Sequence, residues 1–190
     1  MGLTLIKALT ASSSSSLDFV DGTSDVVMDS TYNEYQFQFV NLHPEENGKD
    51  FGFQVNATDD AGGGYDTSQI TSTHFRAYHA ENGTGGSIQY RTPADQANGT
   101  GYQLLQGWVG ATDGTGDDNG VSGTLTLYDP SSTTYTKHFL ATTVSMYDVT
   151  SLYTGYTAGY INDTTAIDEI SFKMSSGNID AGTIYMYGVS

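Results

Sequence analysis

Apolar and polar residues alternate with a period of two along most of the chain. Tyr35, Phe37 and Phe39 alternate with two glutamines, and the same pattern returns in segments 170–175 and 184–188. Because successive side chains of a strand point to opposite faces, this period predicts strands with one buried and one solvent-facing side. The abundant Thr, Tyr, Phe, Val and Ile agree with this prediction, because these side chains suit a pleated surface.

The alternating segments predict twelve strands separated by turns such as Asn82-Gly83 and Gly62–Gly64. Alternation favours antiparallel pairing, so we predict an all-β fold, an antiparallel jelly-roll β-sandwich in a single domain with little helix. The one helical candidate is Thr92–Gly99, with Pro93 in its first turn. The predicted strands lie near residues 3–9, 16–20, 34–40, 51–56, 73–80, 86–91, 102–109, 122–128, 135–146, 156–161, 167–174 and 182–189.

Five serines at 12–16 separate the first predicted strand from the rest of the chain. We predict residues 1–11 as an N-terminal strand or arm and residues 12–190 as the sandwich domain. The serine run has two interpretations, a flexible tether or a bend in a first hairpin, and the second is favoured because alternation resumes directly after it. We predict no signal peptide, because Lys7 interrupts the apolar N-terminal run and no positive charge precedes it.

The chain is strongly acidic, with 22 Asp and Glu against 6 Lys and Arg and a formal net charge of −16. Binding of nucleic acid depends on Lys and Arg that displace counterions from phosphates, so we expect no nucleic-acid partner. An anionic membrane surface is disfavoured for the same reason, and no segment approaches the roughly 20 apolar residues of a membrane-spanning helix. We therefore expect no membrane partner.

Residue types that carry catalysis are scarce or poorly placed. Cysteine is absent, which excludes thiol nucleophiles, disulfides and thiolate metal sites. Neither a phosphate-binding G-x-x-x-x-G-K-[ST] motif nor a G-x-S-x-G nucleophile motif occurs. Glu45 and Glu46 follow His43-Pro44 in a loop without the apolar surroundings that would raise the pKa of a catalytic acid. We predict that the protein is not an enzyme and has no catalytic residue, cofactor-binding residue or metal ligand.

Two groups of residues nevertheless resemble weak metal sites. His74 and His79 are an odd number of residues apart, so on one strand they face opposite sides and are predicted to be structural. The acidic segment Asp113–Gly120 clusters the oxygen ligands that calcium prefers, as do Asp59-Asp60 and the pair Asp18 and Asp21. The segment lacks the glycine and the glutamate of an EF-hand loop, and a solvated turn is the favoured interpretation.

Aromatic residues offer a candidate binding surface. The chain has 14 tyrosines and a single tryptophan, Trp108. Tyr is amphipathic and rigid, which suits interfaces and sugar platforms. One such face would consist of Tyr153, Tyr156 and Tyr160, or of Tyr185 and Tyr187, and ordinary strand composition is the alternative.

Three segments resemble structural proteins of tailed bacteriophages, especially marine ones. They are QFQFVNLHPE at 36–45, AYHAE at 77–81 and ISFKMSSGNIDAGTIY at 170–185. The likeness spans most of the chain in order, and it carries no catalytic residues. It implies a virion component of the head surface, the tail or the fibre.

The expected function is therefore that of a bacteriophage virion structural protein, a capsid decoration protein that stabilises the head surface. Its expected partners are further copies of the chain in a homotrimer and the major capsid protein or another virion protein. The expected location is the virion, after synthesis in the host cytoplasm. The alternative is a tail- or fibre-associated module that binds a cell-surface glycan or receptor.

Overall fold

A computed structural model describes residues 2–59, 65, 68–111, 119–147 and 151–190. In this part of the chain twelve strands form, and they confirm the predicted number. The strands are β1 Leu3–Thr10, β2 Leu17–Val20, β3 Glu34–Pro44, β4 Lys49–Ala57, β5 Ile70–Ala80, β6 Gly86–Tyr90, β7 Gln103–Val109, β8 Val121–Tyr128, β9 Lys137–Tyr147, β10 Ser151–Ile161, β11 Ile167–Met174 and β12 Ile179–Val189. No helix among these residues is long and apolar enough to cross a membrane.

The strands form two antiparallel sheets that pack face to face, which confirms an all-β, jelly-roll-like sandwich in a single domain. The large sheet has eight strands in the order β1-β12-β3-β8-β9-β10-β5-β6. The small sheet has four strands in the order β2-β11-β4-β7. Because the large sheet is twice as wide, the small sheet covers only part of its inner face, and β7 ends the small sheet over β9 and β10.

The core lies between the sheets and is built from phenylalanine rings. Phe172 of β11 occupies its centre, with ring centroids 5.3 Å from those of both Phe37 and Phe39. The prediction that the apolar set of β3 points inward is confirmed, since both of these rings are fully buried. Seven of the eight phenylalanines are buried in this way, and Phe75 is the exception.

The N-terminal segment is an edge strand of the large sheet. Strand β1 pairs with β12 from Leu3 to Thr10. The serine run is hydrogen-bonded to β12, with the Ser14 amide donating to the carbonyl oxygen of Ile179 at 2.9 Å. It does not form a hairpin turn, because β1 and β2 lie in different sheets and the serines cross between them.

The helical candidate is shorter than predicted. Only Thr92–Ala94 form a 3₁₀ helix, with Pro93 in its first turn, and the chain becomes extended at Asp95. The Asp95 side chain instead accepts the backbone N–H of His74 at 2.7 Å. This connection fixes the short helix against β5, at the side of the sandwich that the small sheet leaves uncovered.

Candidate functional site

The histidines occupy separate places. His74 points inward from β5 and is buried, whereas His79 is exposed on the opposite face, so the predicted opposition of the two is confirmed. His43 contacts the carbonyl oxygen of Ala111 at 2.7 Å through Nε2, and His138 lies exposed on β9. In the described ranges no three His, Asp or Glu side chains come together as a metal site.

The structure describes only some of the predicted clusters of oxygen ligands. Residues 113–118 of the calcium candidate, and Asp60, lie outside the described residues. Asp18 accepts the Ser171 hydroxyl at 2.6 Å. Asp21 accepts the backbone N–H of Met28 at 2.8 Å. These last two carboxylates therefore hold the fold together.

Glu45 and Glu46 are exposed, as predicted, and both accept hydrogen bonds that stabilise the turn before β12. Glu45 accepts the backbone N–H of Asn178 at 2.8 Å, and Glu46 forms an ion pair with Lys49 at 2.8 Å. The hydrogen bonds from Lys49 and Ser176 lower the pKa of Glu46. A carboxyl group that is held ionised in this way is suited to a structural contact.

The three tyrosines of β10 do not form one face, and that interpretation was wrong. Tyr153 points inward and is buried, while Tyr156 and Tyr160 point outward, because residues 153 and 156 are an odd number apart on one strand. Tyr185 and Tyr187 do share the outer face, with ring centroids 6.4 Å apart.

The structure instead brings both arginines of the chain to its single tryptophan. The guanidinium carbon of Arg76 lies 4.6 Å from the ring centroid of Trp108, and that of Arg91 lies 5.1 Å from it. Arg76 is also 4.7 Å from the ring centroid of Tyr153, which packs edge-on against Trp108 at 6.1 Å. We call the depression beside these side chains the Arg–Trp cleft, and its volume is about 90 Å³.

Each sheet contributes one side of the Arg–Trp cleft. Arg76 comes from β5 of the large sheet, Trp108 from β7 of the small sheet, and Arg91 from the segment between β6 and the 3₁₀ helix. Arg76 is almost fully buried, and its Nε and Nη2 donate to Gln89 Oε1 at 3.0 and 2.9 Å. The guanidinium group is therefore fixed in orientation by a neutral partner.

Trp108 reaches this position through a strained backbone. Its φ of +58° lies in the left-handed region that a bulky residue rarely adopts. The pairing of β4 with β7 shifts register between Lys49 and Phe51, and at this bulge the Asp50 Oδ1 accepts the Trp108 backbone N–H at 3.0 Å. Bulges re-aim side chains, and here Trp108 remains 37% exposed at the mouth of the cleft.

A polar layer behind the cleft anchors β7 to the large sheet. The Thr143 hydroxyl lies 2.9 Å from the Leu105 carbonyl oxygen and 2.7 Å from Gln106 Oε1. Gly155 of β10 allows this approach, because a Cβ atom there would lie 2.6 Å from the Leu105 carbonyl oxygen. Sequence reasoning did not find this layer, although a glycine within a strand is a known sign of a close backbone approach.

A second surface is the outer face of the large sheet. One cross-strand row runs over all eight strands, and a second row runs beside it over seven. The rows are Tyr90, Phe75, Tyr156, Thr142, Thr124, Gln38, Tyr185 and Ala8, and then Thr73, Ala158, Leu140, Thr126, Gln36, Tyr187 and Leu5. No residue of either row is charged. We call this surface the uncharged face.

The outer side of the large sheet, of which the uncharged face is the central part, holds most of the exposed large hydrophobic side chains of the described residues. All of them except Val27, Trp108 and Tyr135 lie on the outer side of the large sheet. On that side the charged residues found at outward positions of the described strands are Glu34 and Asp180, and both lie at the start of their strands. The chain has 22 acidic residues, yet few charges lie on the outer side of the large sheet. Depletion of charge is typical of the cores of protein–protein interfaces.

A third feature is a depression of about 630 Å³ at the rim of the uncharged face. It is lined by Asn41, His43, Asn119, Met146 and Asp180, among others. The amide atoms of Asn119 are buried and have no hydrogen-bond partner among the described residues. Asn119 directly follows the segment 112–118, which lies outside the described residues.

Comparisons with known proteins identify no relative: no protein-family model, no curated protein and no solved structure matches this chain.

Proposed function

We propose that the protein is a non-catalytic structural component of a bacteriophage virion, a capsid decoration protein that assembles through its uncharged face. The resemblance of segments 36–45, 77–81 and 170–185 to phage structural proteins supports the virion part of the proposal. The uncharged face carries the assembly part, because the cores of protein–protein interfaces are depleted of charge and enriched in aromatic side chains.

The proposed occupant of the uncharged face is a second copy of the same chain. Two copies that each carry a net charge of −16 repel one another over most of their surfaces. They approach at the lowest electrostatic cost where neither contributes a carboxylate, and that condition is met on the uncharged face. A partner of opposite charge would instead be attracted to the acidic surfaces.

The size of the uncharged face suits a stable contact. Eight strands at spacings of about 4.8 Å span about 34 Å, and five residues along a strand span about 16 Å. The projected area is therefore roughly 500 Å², shared by apolar side chains and uncharged polar ones. Its accessible area approaches the roughly 800 Å² that one partner buries in a standard interface.

The assembly proposal is tested with a charge at the centre of the uncharged face. Thr142 of β9 is exposed in the first cross-strand row. We expect Thr142→Asp to weaken self-association at least tenfold in sedimentation velocity, because dimerisation would bury the added carboxylates. Thr142→Asn is the matched control, since Asn has the shape of Asp and a similarly low strand propensity without the charge.

A wild-type chain that stays monomeric at high micromolar concentration would contradict the assembly proposal, as would equal association of the Asp and Asn variants. A dimer indicates that the face meets itself, and a trimer that it meets another patch of a neighbour. The virion part needs a separate observation, the position of the chain in an electron cryomicroscopy map of the phage particle. Absence of the chain from purified particles would contradict it.

We infer a second candidate function, a glycan- or receptor-binding module, from one observation, the Arg–Trp cleft. Aromatic rings beside charged donors in a depression are typical of sites that bind a polar ligand. A glycan array probed with the full chain tests this function. Saturable binding that is lost on Trp108→Ala would support it, and an array without any bound glycan would contradict it.

A further inference from the structure

The chain concentrates its cationic side chains at one place. Besides the two arginines over Trp108, Lys173 lies 4.1 Å from the ring centroid of Tyr102. Lys173 and Tyr102 line a depression of about 200 Å³ that adjoins the Arg–Trp cleft through Asp50, Pro93 and Leu104. Three of the six Lys and Arg residues of a strongly acidic chain thus line two joined depressions.

Among the described residues, no carboxylate lies within ion-pair distance of either guanidinium group. In the part of the chain that the structure describes, the ion pair found joins Lys49 to Glu46, and neither arginine takes part in one. Asp50 also lines the cleft, where its Oδ1 accepts the Trp108 backbone N–H, so its negative charge faces the depression without forming an ion pair with either arginine. The two guanidinium groups lie 4.6 and 5.1 Å from the same ring centroid, and burial, followed by the charge of Arg91, lowers the pKa of Arg76.

Two adjacent cations repel one another, and an anion bound between them offsets that repulsion. Arginine is suited to carboxylates because its planar fork donates two parallel hydrogen bonds. Among the described residues no hydrogen bond involves the Arg91 guanidinium, and Arg76 is held in place by Gln89. Arg91 is therefore the group that is available to a ligand.

The aromatic part of the cleft indicates which kind of ligand bears the anionic group. The guanidinium groups lie over the ring of Trp108, and the part of this ring that stays exposed offers an apolar edge beside them. A cleft of about 90 Å³ is small, which suits a carboxylate and the edge of one sugar ring. A long polyanion is disfavoured, because the net charge of −16 repels it away from the cleft.

We propose that the Arg–Trp cleft binds the carboxylate of an acidic sugar residue at the end of an oligosaccharide, an inference that rests on the second candidate function. Arg91 donates its fork to the carboxylate, and Arg76 contributes its charge. The edge of the sugar ring contacts the exposed edge of Trp108. The adjoining depression, with Lys173 and Tyr102, receives the next sugar unit.

The test uses the intrinsic fluorescence of the full chain, because Trp108 is its single tryptophan and reports on the cleft directly. The probes are 3′-sialyllactose and lactose, which differ by one carboxylated sugar. We expect a saturable change in Trp108 emission with sialyllactose, and at least tenfold weaker binding of lactose. Sodium sulfate at the same concentrations serves as the simple anion.

Two substitutions that each remove one positive charge distinguish an effect at the cleft from an effect of the overall charge. Arg91→Gln is expected to weaken sialyllactose binding at least tenfold, with little effect on folding because the side chain is only partly buried. Lys7→Gln is the matched control, since it removes one positive charge from β1 at the opposite edge of the large sheet. Thermal denaturation of both variants verifies that they fold.

The outcomes distinguish this inference from the function on which it rests. Equal binding of lactose and sialyllactose, or unchanged binding by Arg91→Gln, overturns the carboxylate assignment and leaves glycan binding standing. Displacement of sialyllactose by equimolar sulfate overturns it as well, because the cleft would then be a site for simple anions only. No response to either sugar, together with an empty glycan array, overturns both.

Discussion

At the scale of single residues, the surroundings of His74 have a measurable consequence. The ring is buried behind the Arg–Trp cleft, and its Nδ1 lies 2.8 Å from the Thr157 hydroxyl. Burial lowers the pKa of His74 to about 4, Asp95 opposes the shift, and Arg91 and Arg76 add to it. The imidazole is therefore neutral in the folded protein at pH 7.

This lowered pKa predicts that His74 makes the folded state less stable in acid. Between pH 6.5 and pH 4 the unfolded chain binds a proton that the folded chain does not, so the free energy of unfolding falls as the pH falls. The loss attributable to His74 is on the order of 2 kcal/mol between pH 7 and pH 5. Urea denaturation at the two pH values measures it.

The His74→Asn variant should lose this part of the pH dependence, because an amide near the Nδ1 position contacts Thr157 and does not titrate. His138→Asn is the control, since His138 is exposed on β9. We expect the control to retain the wild-type difference between pH 7 and pH 5. The same difference in His74→Asn would show that the carboxylates, and not this histidine, set the acid stability.

Among the elements, β7 depends on Gly155, because the backbone of β7 lies directly against this glycine. A Cβ atom there would lie 2.6 Å from the Leu105 carbonyl oxygen and 2.7 Å from the Thr143 hydroxyl. We expect Gly155→Ala to displace β7 and lower the free energy of unfolding by about 1–3 kcal/mol, the usual cost of overpacking. Denaturant unfolding measures the stability, and Trp108 emission reports the displacement.

Gly101→Ala is the matched control for the β7 prediction. Gly101 has no heavy atom within 4 Å of an added Cβ and lies just before β7. This variant should keep both the stability and the Trp108 emission of the wild type. If the two alanine variants were equally stable, the close approach at Gly155 would not be a constraint on the fold.

The elements also show what the sequence could predict. The alternation at Phe37 and Phe39 predicts that both rings lie in the core, because a strand with one buried side has apolar residues at every second position. The same period places residues 153 and 156 on opposite faces of β10, so the prediction of one tyrosine face, which rested on their proximity in the chain, was wrong. The bulge that turns Trp108 outward has no such signal, since it depends on Asp50 of the neighbouring strand.

For the molecule as a whole, the sequence contains a signal for the uncharged face but none for the Arg–Trp cleft. Arg76 and Trp108 are distant in the chain and lie on different sheets, so only the packing of the sheets brings them together. The uncharged face did leave a signal, because outward positions such as Gln36, Gln38 and Thr124 lack charge in strand after strand. Recognising that signal requires the strand order, which alternation alone does not give.

The charge distribution also predicts how salt acts on assembly. If copies associate through the uncharged face, the contact has no favourable charge pairs, and the net charge of −16 on each copy opposes it. Raising the salt concentration shortens the range of this repulsion, from a Debye length of about 30 Å at 0.01 M to about 8 Å at 0.15 M. We therefore expect self-association, measured by sedimentation velocity, to become several-fold tighter over this range. Association through paired charges would respond in the opposite direction, so weaker association at the higher salt would refute the proposed contact.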